Sequence, residues 1–102
     1  MELKEIHNCI IQGHYKFSLH ASIEAESDGL DFAQILVCIQ NGKILENYPD
    51  TGRGESCLVV GFSGSLPIHV VCSLRAGQVI IVTVYIPGPP NFIDPWTRTS
   101  AK

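Results

Sequence analysis

Three β-rich runs stand nearly back to back late in the chain: SCLVVGF from Ser56, PIHVVCSL from Pro67 and QVIIVTVYI from Gln78. Only short links around SGS and RAG separate them. Links of that length admit antiparallel neighbours alone, because a parallel return needs a crossover of about a dozen residues or more. The runs therefore form a meander, and KILENY from Lys43 supplies a fourth strand ahead of them.

Upstream of Lys43 the period is helical. Leu3, Ile6 and Ile10 fall at helical spacing and Gly13 stands at a C-terminal cap, which predicts a helix over 2–12. Ser18 is the N-cap of a second helix running to Asp28, closed by Gly29 and carrying His20 in its first turn. The third helix has the fullest start signal: Asp31 as N-cap, Gln34 completing a capping box, and Leu30 with Ile35 as a hydrophobic staple. Phe32, Ile35, Leu36 and Ile39 make its buried stripe, and Asn41–Gly42 ends it. Helices segregated before strands predict an α+β, two-layer fold, with the N-terminal helices on one face of a four-stranded antiparallel sheet. Residues 1–87 form this single domain, and the proline-rich residues 88–102 are an extended tail.

At 102 residues, 45% hydrophobic and 17% charged, the chain has the material for one soluble core. Its apolar runs are too short to span a bilayer, and MELKEIHNCIIQG is acidic where a signal peptide is basic, so a cytoplasmic location is expected. The four cysteines, Cys9, Cys38, Cys57 and Cys72, are spread singly and are expected as buried thiols rather than a disulfide framework or clustered zinc site. A net charge of −3 gives no long-range attraction for nucleic acid, which counts against an RNA-acting enzyme unless a local patch supplies it.

One residue interrupts the apolar meander: His69. A three-residue loop Arg75-Ala76-Gly77, with Gly77 in the left-handed position, pairs Leu74 with Gln78 and sets His69 opposite Thr83. His69 then shares a face with Ser73, Thr83 and Tyr85, together with Val59, Val71, Val79 and Ile81, while Gly61 leaves open space. Ile68, Val70, Cys72, Ile80, Val82, Val84 and Ile86 point the other way, toward the helices. A register shifted by one reverses this and sends His69 into the core, hydrogen-bonded to a neighbour.

Several segments together, SLHA, LDFAQILVCIQNGKILENYPD, SCLVVGF, LPIHVVCS and VTVYIP, resemble the bacterial family called domain of unknown function 4258. The resemblance covers Ser18 to Pro87. Its matching positions are Ser18, His20 and Ala21, Tyr48 and Pro49, Ser56 and Cys57, His69, and Thr83 and Tyr85. That family is similar in layout to the RelE and MqsR group of small toxins that cleave mRNA without a metal, and its members often lie beside a YgiT-type zinc-finger antitoxin. The resemblance implies a RelE-like toxin layout, a protein partner and metal-independent endoribonuclease chemistry on mRNA, with no cofactor. Many relatives carry arginines after the SxHA histidine, where this chain has Glu24 and Glu26.

Metal-free RNA cleavage uses the ribose 2′-hydroxyl as nucleophile, so the protein must supply a base, an acid and a cation. His20, His69 and Tyr85 have the right chemistry. The first turn of a helix suits a neutral imidazole and assigns the base role to His20, leaving His69 or Tyr85 as the acid. Among the cations Arg53, Arg75, Arg98 and Lys102, Arg98 is chosen because a tail can fold over the open face. Each of these charges, like Tyr48 and Trp96, also has a plain structural reading as surface or packing. A zinc site from His7, His14 and His20 is weaker, since the step from His7 to His14 crosses a helix end. Two further classes stay open: a non-catalytic protein-interaction module using the open face or an edge strand, and homo-oligomerisation through that face.

Overall fold

A computed structural model describes residues 1–50 and 54–100, so Arg53 and Lys102 lie outside the described residues. Helix α1 (Leu3–Ile11) opens on a capping box in which Glu2 and Glu5 exchange side-chain and backbone bonds. Strand β1 (Tyr15–Phe17) follows, and then α2 (Leu19–Ser27), whose N-cap Ser18 accepts from the Ala21 amide. Helix α3 (Phe32–Asn41) has the expected box between Asp31 and Gln34, which satisfies two amides that helix geometry leaves free. After it come β2 (Lys43–Tyr48), β3 (Ser56–Ser63), β4 (Leu66–Arg75) and β5 (Gln78–Tyr85). The chain ends in two short strands, β6 (Phe92–Asp94) and β7 (Thr97–Arg98).

The α+β class and two layers are as expected; the sheet is not. It has five strands in the order β1-β5-β4-β3-β2, and it is mixed, because β1 runs parallel to β5. Three residues are too few to show a period, which is why HYKF passes as a link in the sequence. The proline-rich segment also departs from an extended tail: β6 and β7 pair as a hairpin in a separate small sheet.

The β4–β5 turn is tighter than expected, with Arg75 paired to Gln78 and both Ala76 (φ 50°) and Gly77 (φ 77°) in the left-handed region. A two-residue turn of that hand matches the twist of the strands, and here it outweighs alanine's dislike of positive φ. A bulge then intervenes: Cys72 faces Ile81 but Val71 faces Thr83, so Val82 is the extra residue. Val79 and Ile81 therefore point to the helices and Ile80 and Val82 away from them, reversing the expectation for all four. Beyond the bulge the expected faces return. His69 lies opposite Tyr85, not Thr83, yet on the predicted side.

Helices α2 and α3 pack over β5 and β3, burying Ala21, Ala25, Ile35, Cys38 and Ile39 against Val59, Ile68, Val70, Cys72, Val79, Ile81 and Val84. Val59 thus belongs to the core, not to the opposite face. The buried stripe of α3 is shifted as well, with Cys38 in place of Phe32, which is half exposed and stacks on Phe17 at 4.0 Å. Gly61 also faces the helices, where a Cβ would overlap the Cys38 carbonyl. The space it leaves is filled by helix backbone. Cys38, Cys57 and Cys72 are free buried thiols, and Cys9 is half-buried.

This contact predicts that Gly61→Ala destabilises the fold by about 3 kcal/mol, because backbone rather than a flexible side-chain tip must yield. Gly88→Ala, where a Cβ meets nothing within 4 Å, stays near neutral. Urea unfolding midpoints of the two variants check the contrast.

Candidate functional site

Strand alternation sets one row across the face opposite the helices: Val60 on β3, His69 on β4 and Tyr85 on β5. Glu46, paired with Leu58, and Tyr48, paired with Ser56, extend that face onto β2. After Tyr85 the chain turns back over it, and residues 88–100 cross the sheet from β5 toward β2 as a strap. Phe92, 1% exposed, meets His69 edge-on at 4.5 Å; Trp96 reaches Phe62 on β3; and Arg98 reaches Glu46 on β2.

His69 is fully buried and both ring nitrogens are occupied. Nε2 donates to the Pro95 carbonyl at 2.7 Å, since a carbonyl can only accept. Burial lowers the pKa of His69, only partly opposed by the Pro95 hydrogen bond, so the ring is neutral and Nδ1 accepts from the Tyr85 hydroxyl at 3.1 Å. The strap's carbonyl thereby fixes the tautomer. Tyr85 is itself held protonated, its pKa raised chiefly by burial.

A second cluster adjoins the first. Arg98 forks onto both oxygens of Glu46 at 2.6 and 2.8 Å, the Tyr48 hydroxyl donates to the same carboxylate, and the guanidinium lies 4.7 Å from the Phe92 ring centre. Arg98's hydrogen bonds bring the Glu46 carboxyl down to about 2, and burial together with the Glu46 bond lifts Tyr48 to about 12. Glu46 lies within the LDFAQILVCIQNGKILENYPD segment that carries the resemblance, but it is not among the site candidates. Its place here follows from alternation along β2 past the bulge between Ile44 and Glu46, which only the paired structure reveals.

Three of the four sequence candidates, His69, Tyr85 and Arg98, thus come together. His20 does not. It stands on α2, in the layer on the other side of the sheet, with its side chain 69% exposed and Nε2 3.3 Å from Glu24. Glu24 in turn accepts from the Val84 amide on the outer edge of β5, and Ser18 donates to the Val82 carbonyl beside it. The SxHA segment therefore serves the sheet edge. Arg75 and Tyr48 line a groove of about 310 Å³ on the strap side of the sheet, with Ser56, Ser73 and Val82 among its walls. The proposed zinc trio is dispersed, with His7 bonded to the Ile39 carbonyl, and no three His, Cys, Asp or Glu side chains converge as metal ligands among the described residues.

Residues 17–86 match the family model described as Domain of unknown function (DUF4258). The chain belongs to this family. The match runs from the last residue of β1 through β5 and leaves the strap beyond its end, so in this DUF4258 protein His69 and Tyr85 sit in the family domain while Pro95 and Arg98 do not. No curated protein and no solved structure matches the chain. Among the described residues, no helix of this DUF4258 protein is long and apolar enough to cross a membrane.

The Glu46 shift gives a signed pH dependence. A carboxyl held near 2 when folded, against an ordinary 4.5, adds stability above the ordinary value and loses it as pH falls toward 2. Urea midpoints of the natural chain and Glu46→Gln should therefore differ at pH 7 and converge between pH 4.5 and 2. The pair is half exposed, so the gap is modest, at most about 1 kcal/mol. By contrast Tyr85→Phe strands the buried His69 Nδ1 without a donor and should cost about 2 kcal/mol at pH 7.

Proposed function

We propose that this protein is the toxin-like component of a bacterial toxin–antitoxin pair, a metal-independent endoribonuclease acting on mRNA at the sheet face opposite the helices. The carrying observation is the joined cluster of imidazole, phenol and guanidinium: His69, Tyr85 and Arg98. It contains the three chemical types the reaction needs, on a face the helices leave free. A YgiT-type zinc-finger antitoxin in the cytoplasm is its proposed partner.

In the reaction the ribose 2′-oxygen bonds to the adjacent phosphorus as the bond to the 5′-oxygen breaks. A base takes the 2′ proton and an acid returns one to the leaving oxygen. With His20 on the other layer, the base role passes to His69, whose neutral ring suits it, and Tyr85 supplies the acid. Arg98 offers the phosphate a planar pair of donors, the geometry it already gives Glu46.

A second reading has its own observation. His69 is fully covered and both its nitrogens are engaged, while Leu19 and Ile23 on the outer side of α2 are 78% and 56% exposed. That combination favours a non-catalytic protein-interaction module, in line with the acidic net charge.

Induced expression separates the two. On the ribonuclease reading the natural protein arrests growth and cuts mRNA, and His69→Ala or Tyr85→Phe, at equal abundance and fold, lowers cleavage about a hundredfold or more. Intact RNA and normal growth, for both the natural chain and Trp96→Ala, leave the interaction module as the better account.

A further inference from the structure

The strap is attached lightly. It shares no ladder with the five-stranded sheet, its own hairpin is two short strands, and the apolar core between sheet and helices closes without any of its residues. Phe92 is its one buried large side chain, whereas Ile93 is 68% exposed, Trp96 46% and the Arg98 side chain 51%. Its remaining ties are the contact of half-exposed Trp96 with Phe62 and two polar bonds, Pro95 to His69 and Arg98 to Glu46. Lifting it breaks no strand pairing in the main sheet. It does bare His69 and the neighbouring Leu58 and Val60, both buried, and that apolar exposure keeps the strap closed at rest.

The two polar ties occupy the groups that the proposed chemistry requires. A base at Nε2 must have its lone pair free, yet the Pro95 carbonyl demands a proton there. A phosphate clamp must have a free fork of donors, yet Glu46 takes up the Nε and one Nη of that fork.

We propose that residues 88–100 are a releasable autoinhibitory cover, which when closed locks His69 as the Nε2–H tautomer and Arg98 on Glu46, and when lifted frees both for substrate. The inference rests on reading this face as the reacting site. On release the proton passes from Nε2 to Nδ1, the Tyr85 hydroxyl turns from donor to acceptor of that bond, and no net charge changes. Nε2 then presents its lone pair outward. RNA phosphate competes with Glu46 for Arg98.

The test weakens the strap at two independent anchors, Phe92→Ala and Trp96→Ala, in the full chain. Four quantities are read: the rate at which diethyl pyrocarbonate modifies His69, located by mass spectrometry; the imidazole ¹⁵N shifts; amide exchange in β3–β5; and cleavage of a mixed-sequence RNA. In the natural protein His69 should react at least tenfold more slowly than His20. In at least one variant it should react tenfold faster than in the natural protein, with the proton moved to Nδ1, sheet amides still protected and RNA cleavage raised.

The cover is overturned if His69 of the natural protein reacts as fast as His20, or if it stays protected in both variants. It is overturned equally if sheet amide protection collapses together with His69 exposure, since the strap is then part of the cooperative fold. RNA left intact by every variant while His69 is uncovered and its proton moved sinks the ribonuclease reading and leaves the cover standing. Equal cleavage by natural and opened chains does the reverse.

Discussion

The His69 imidazole, donating to Pro95 on one side and accepting from Tyr85 on the other, is the joint on which the placing of the strap over the sheet depends. The helices need no such joint, because burial of aliphatic side chains on a sheet is non-directional and large in sum. The strap brings one buried aromatic ring and the half-exposed Trp96, enough to hold it down, while directional bonds set where it lies. A polar group at the centre of an apolar face fixes where the crossing chain must lie, in a way that an aliphatic residue at the same point would not.

That joint also explains how a histidine can sit with no exposure in a strand. An imidazole satisfied at both nitrogens carries no unpaired polar atom, and in its neutral form it incurs no ionic desolvation. The phenol and the carbonyl answer complementary needs, one a donor and one an acceptor. Neither could replace the other without changing where the ring proton resides.

Much of this was legible in the chain. The caps at Ser18 and Asp31 are local chemistry, readable from adjacent residues, and the meander follows from link length alone. The face of His69 was also legible, through two departures that add: the tighter turn and the Val82 bulge each shift its partner by one residue, and a shift of two keeps the same face while changing Thr83 to Tyr85. Between turn and bulge only the first shift acts, so Val79, Ile80, Ile81 and Val82 were assigned to the wrong sides. Gly61 misled for a different reason, because a glycine signals room without saying what fills it, and here that is the Cys38 backbone. The role of Glu46 was not legible at all. It depends on a guanidinium 52 positions away, brought by a segment whose prolines suggested only an extended tail.

The outer side of β5 shows what the N-terminal half contributes besides packing. Its main-chain groups are taken up in turn: the Val79 amide by His14, the Ile81 carbonyl by the Ser18 amide, the Val82 carbonyl by the Ser18 hydroxyl and the Val84 amide by the Glu24 carboxylate. Three residues of β1 and two side chains thus finish an edge that a full strand would otherwise be needed to close. The border of the sheet thereby passes from β5 to the very short β1. Another extended chain, whether a visiting peptide or a misfolded copy, meets an edge strand of only three residues on this side and one of six at β2 on the far side.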